Sequence, residues 1–144
     1  MFEDFLSRLA ALKYDDVALW GKMTPQHMVE HLMLAIQMSN GKLKYDCLSP
    51  VERLPTLRRF LFSDRPLQKM FINPAIGSDL MKLRYKDIDE AKEILREEIS
   101  YYNKYFIENP YSKPTHMIFG ELNKEEWDIF HKKHFTHHLS QFGL

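Results

Sequence analysis

Seven histidines stand in this chain of 144 residues beside one cysteine and five glycines, so imidazole outnumbers thiol as a metal ligand and is the side chain able to move a proton near neutral pH. Four of them fall within eight positions, in His131-Lys132-Lys133-His134-Phe135-Thr136-His137-His138. Projected at roughly 100° per residue, Trp127, His131, His134 and His138 form one stripe on the apolar side of a helix that also carries Phe135, Leu139 and Phe142. His137 lies at the edge of the stripe, beside Phe130. An imidazole on a core-facing stripe must find partners for its ring nitrogens, because an unsatisfied buried polar group costs about 1–3 kcal/mol. Earlier in the chain, Gln26, Glu30 and Gln37 make a narrow polar wedge, and His31 falls outside it among Met28, Leu34, Ala35 and Met38. His134 and His138, at i and i+4, point the same way. With His31 they can converge in a bundle. Three neutral imidazoles on a divalent ion, with a position left open, is the pattern of a catalytic metal site.

Other readings stand beside this one. Buried histidines can be satisfied by carbonyls or carboxylates, and a lone His-x3-His is a weak motif. His27-Met28-Val29-Glu30-His31 matches the His-x-x-Glu-His pattern of inverzincin peptidases, yet Pro25 places His27 in the first helical turn, away from the core centre. The stripes of Met28, Met33, Met38, Phe130 and Phe135 read as core packing. Glu90, Glu93, Glu97 and Glu98, with Lys92 and Arg96, read as a solvated helix face. Arg53, Arg58 and Arg59 could gather an anionic ligand, but read first as surface cations. Cys47 sits in a loop, and nothing in the sequence around it marks a reactive thiol.

The elements that must position these groups are mostly helical. Residues 2–12 form a short first helix, with Phe2, Phe5, Leu6, Leu9 and Leu12 at three-to-four spacing. Thr24 as N-cap with Pro25 at the first helical position, and the stop at Ser39-Asn40-Gly41, give a second over 25–39. A third begins at Ser49-Pro50 and is broken or displaced by Pro55, and the stretch from Asp64 to Gly77, with Pro66 and Pro74, reads as irregular. Asp87 with Glu90 resembles a capping box for a helix through about Glu108, ended by Asn109-Pro110. Asn123 with Glu126 repeats it for a last helix to about Gln141. No strand is expected, so the sequence predicts an all-α four-helix bundle, a single domain over 1–144 with one long irregular connection.

Composition narrows the function classes. Twenty Lys plus Arg balance twenty Asp plus Glu, which argues against a nucleic-acid binder relying on a basic excess. A lone cysteine excludes an internal disulfide and suits a reducing compartment. Met1-Phe2-Glu3-Asp4-Phe5 is no signal peptide, and no apolar run approaches the ~20 residues of a membrane span, so a cytoplasmic location with no membrane partner is expected.

Trp20-Gly21-Lys22-Met23-Thr24-Pro25-Gln26-His27-Met28-Val29-Glu30-His31-Leu32 resembles the opening of a DinB/YfiT-like bundle, in which this helix carries the first metal histidine. His116-Met117-Ile118-Phe119-Gly120, Glu125-Glu126-Trp127 and Lys133 to Gly143 resemble the end of the DUF1569 branch of that superfamily. Residues 42–86 carry no part of the likeness. The resemblance implies that His31, His134 and His138 are the metal triad, with His137 and Gln141 orienting a ligand ring or lining the cleft, and His116 either reaching substrate or stabilising a turn. It implies a divalent ion, with zinc, nickel, manganese and iron all open, acting as a Lewis acid on a thiol or water. Transfer of a low-molecular-weight thiol to a small electrophilic substrate comes first, then hydrolysis or isomerisation. Leu139-Ser140 stands where thiol-transferring relatives often have Arg-Gly, which leaves the thiol open. Glu30 and His116 are the candidates for a general base. A homodimer is also implied. The alternative is a non-catalytic helical dimerisation or accessory module, associated with the degradation of phenylacetate-type aromatic rings.

Overall fold

Hydrophobic spacing and capping chemistry account for the main helices. The computed structural model describes residues 1–69 and 79–144. Helix α1, Phe2–Ala10, stops two residues before the expected end and buries Phe2, Phe5 and Leu9. Helix α2, Pro25–Ser39, starts where Thr24 Oγ1 accepts the His27 N–H and Pro25 occupies the first turn. The third helical segment is a 3-10 turn over Val51–Arg53 that leads into α3, Leu54–Leu61. Pro55 sits in the first turn of α3, where its missing N–H is harmless, so it starts the helix rather than breaking it. The irregular stretch expected from Asp64 to Gly77 lies outside the described residues over 70–78, Pro74 included. Helix α4, Ile88–Glu108, is capped by Asp87, which accepts the Glu90 N–H at 2.8 Å. Glu90 returns to the Lys86 N–H rather than to that of Asp87, so the reciprocal half of the expected box is displaced by one residue. Helix α5, Lys124–Ser140, begins with a complete capping box of Asn123 and Glu126.

The all-α, four-helix expectation is corrected. Among the described residues there are five α-helices and a small antiparallel sheet, so the fold is mixed, by a modest margin. Strand β1, Thr115–His116, pairs with β2, Gly120–Glu121, in the register Thr115 to Glu121 and His116 to Gly120. Two-residue strands carry no sequence period. What holds the hairpin is local: Gly120 takes φ of +76°, and the His116 ring caps the turn.

The core lies where α2 packs on α4 and α5, with α1 closing the far side. Met28, Leu32, Leu95, Tyr102, Trp127 and Phe135 are fully buried there. The solvated face expected on α4 loses one member. Glu98 is buried and accepts from Asn40 Nδ2 at 3.1 Å and Lys42 Nζ at 2.8 Å, which ties α4 to the end of α2. Arg58 pairs with Glu126 and also donates to the Glu121 carbonyl, so it links α3 to the hairpin and the start of α5. No helix among the described residues is long and apolar enough to cross a membrane.

Candidate metal centre

The last two turns of α5 and the middle of α2 face one another. His31 Nε2 lies 3.0 Å from His134 Nε2, and His138 completes a triangle of rings whose centroids are 4.5, 4.7 and 4.9 Å apart. One candidate ligand atom from each ring falls within 4.8 Å of the others. Two nitrogens held 2.0–2.1 Å from a tetrahedral ion stand about 3.3 Å apart, so the closest pair needs to open by only a few tenths of an ångström. The donor set, three imidazoles, fits a divalent transition metal.

Burial keeps those rings in the form that can ligate. Loss of water, then the charge of His137, lowers His31 to about 4. Burial also takes His134 and His138 well below the ordinary histidine range; His134 is further disfavoured by His138 and His31, and His138 by His31 and His137. All three are neutral at pH 7. Their orientations have different origins. The His138 Nδ1–H donates to Gln141 Oε1 at 2.6 Å, which leaves Nε2 with the lone pair. His134 instead lies flat against Phe130, centroids 5.0 Å apart at 22°, and its buried Nδ1 meets no partner among the described residues.

Gln141 is itself held in place. Its carbonyl accepts the Leu19 N–H at 2.6 Å, and its side-chain amide lies over Gly21, where an added Cβ would come within 2.8 Å. Gly21 also has φ of +85°, so both space and backbone require glycine there. Trp20 meets His137 edge to face at 4.9 Å, and the loop before α2 is thus fastened to the end of α5.

The remaining histidines take other places. His131 is fully buried, and its Nε2–H donates to Ser39 Oγ at 2.8 Å, since that hydroxyl gives its own proton to the Ile36 carbonyl. His27 sits beside Thr24, with Nδ1 2.6 Å from Thr24 Oγ1, and is not in the triangle. The His-x-x-Glu-His spacing therefore does not bring its two histidines together. Glu30 has both carboxylate oxygens engaged, one by the Arg84 N–H at 2.7 Å and the other by Gln26 Nε2 at 2.9 Å. His116 Nδ1 accepts the Ile118 and Phe119 N–H groups at 2.9 and 3.3 Å. Neither Gly21 nor the pairing of Ser39 with His131 carries a sequence signal that separates it from ordinary loop and core residues.

A cavity of about 970 Å³ opens beside the triangle, bounded by α2, α3, α5, the hairpin turn and segments before α2 and α4. All three histidines line it, as do Glu30, His116 and His137. A buried cluster of neutral imidazoles with an adjoining space is suited to holding an ion whose open position faces a small ligand.

Comparison with curated proteins and with solved structures returned no match. A family described as a protein of unknown function, DUF1569, matches residues 3–143, a span that includes every residue of the triangle. The chain belongs to the DUF1569 family.

Proposed function

We propose that the protein is a metal-dependent enzyme of DinB-like type that uses His31, His134 and His138 to hold a divalent ion and acts on a small electrophilic substrate. The convergence of the three rings on the wall of a large cavity carries this reading. When bound, such an ion supplies Lewis acidity that makes a thiol or water more acidic. The chain's own residues supply the rest. Gln141 fixes the His138 proton on Nδ1 and thereby its lone pair on Nε2. Phe130 shields one face of His134, and Arg84 and Gln26 hold Glu30 at the cavity wall. Thiol transfer remains the first reaction class and hydrolysis or isomerisation the second.

Metal analysis of protein purified without a histidine tag tests this. One equivalent of a divalent metal, or a melting temperature that rises on adding Zn(II), Ni(II), Mn(II) or Fe(II), is the expected result. No metal and no rise with any of the four would defeat the proposal. Turnover of thiols with electrophiles, abolished by chelator, then separates catalyst from inert module.

A further inference from the structure

We infer that the cavity takes a small ligand with an apolar body and an anionic oxygen group, and that His116 Nε2–H is the buried donor that receives the group. The inference rests on the cavity being the reaction space of the proposed metal site, and it adds the class of ligand. Met23, Leu34, Leu57, Phe60, Ile118 and Phe130 give the cavity a mostly apolar wall. Such a wall favours a hydrocarbon portion.

One side chain in that wall has its chemistry fixed. Two backbone N–H groups, of Ile118 and Phe119, point at His116 Nδ1, so the proton of the neutral ring is confined to Nε2. The ring is only 6% exposed and packs against Phe119, Trp127 and Phe130. No described residue accepts from Nε2, and His116 is one of the residues that line the cavity. A ligand oxygen placed there would complete the hydrogen bonding of a donor that has no acceptor among the described residues. Burial also lowers His116 to about 3, so it meets such an oxygen as a neutral N–H donor. Its Nδ1 is already occupied, which leaves no free nitrogen for accepting a proton.

Charge selects the oxygen group. Lys22, Arg65, Lys82 and Arg84 border the cavity against Glu30 and Asp79, and Glu30 is already engaged by Arg84. In a chain of zero formal net charge this is a local positive excess. It favours an anion over a neutral or cationic ligand of the same apolar body.

Calorimetric titration with octanoate, 1-octanol and octylammonium, on protein as purified and after chelator treatment, tests the inference. Octanoate should bind at least tenfold more tightly than either other probe in both preparations, and should move the ¹⁵N resonance of His116 Nε2. His116→Asn offers an amide oxygen to the turn N–H groups but has no donor at the Nε2 position; it should weaken octanoate at least fivefold. The double variant Arg65→Glu, Lys82→Glu should remove the preference for octanoate over octylammonium. Equal binding of the three probes, or a His116 ring unmoved at octanoate saturation, overturns the inference even where His116→Asn fails to fold. Zinc titration of the same samples keeps the two ideas apart. Octanoate selectivity without zinc binding sinks only the metal site, and zinc binding without selectivity sinks only the ligand class.

Discussion

Along one stripe of α5, His131 and the pair His134 and His138 occupy environments that differ in what meets the ring nitrogens. His131 points into the packed end of the core, stacked on Trp127 at 5.4 Å and bonded to Ser39 of α2. One turn further, His134 meets another imidazole where His131 meets a hydroxyl, and His138 follows on the cavity side. Both places are buried, and both hold neutral rings. Burial therefore does not distinguish a structural histidine from a candidate ligand; the convergence of lone pairs does.

Removing a member of the triangle should produce the largest effect. His31→Ala, His134→Ala and His138→Ala should each reduce Zn(II) affinity by about three orders of magnitude, or about 4 kcal/mol, in competition with a chromophoric chelator. Full affinity in any of the three singles would remove that residue from the ligand set. His131→Ala should give the opposite pattern. It empties space among Phe2, Tyr102 and Trp127 and strips Ser39 of a donor, so urea denaturation should show a loss of about 3 kcal/mol. Zinc affinity should stay within about threefold, and a collapse of zinc binding with intact stability would erase the contrast.

Acid gives the smallest effect. Burial lowers His131 to about 3, whereas the unfolded chain binds that proton near pH 6.5. A depressed folded pKa means that the stability is present above pH 6.5 and is lost as pH falls toward 3. Between pH 7 and pH 5 His131 should account for about 2 kcal/mol of lost stability. Comparing denaturant midpoints of the wild type and His131→Gln at both pH values isolates this part; equal pH slopes would contradict it.

Long amphipathic helices with explicit caps could be read from the sequence because each signal lies within one element. The Thr24-Pro25 start and Ser39 end of α2 match the expected bounds, and Asn123 and Glu126 cap α5 as anticipated. The same periodicity placed His31, His134 and His138 on facing stripes, which the geometry brings together. Features that depend on tertiary partners stayed hidden. Glu98 looks like its solvated neighbours until Asn40 and Lys42 close on it. The β1–β2 hairpin is too short to show alternation, and Pro55 reads as a breaker unless the helix begins beside it. Gln141 came from family likeness alone, because its partners, Leu19 and Gly21, are more than a hundred positions away.

That long reach bears on when the site comes into being. His31 and His134 are separated by 103 positions, so their nitrogens meet only after α2 and α5 have docked. No fragment of the chain can assemble the triangle early, and closure of so long a loop is entropically costly. An ion held there would engage contacts formed late in folding. It should slow unfolding far more than it speeds refolding, making occupancy a brake on the opening of the bundle.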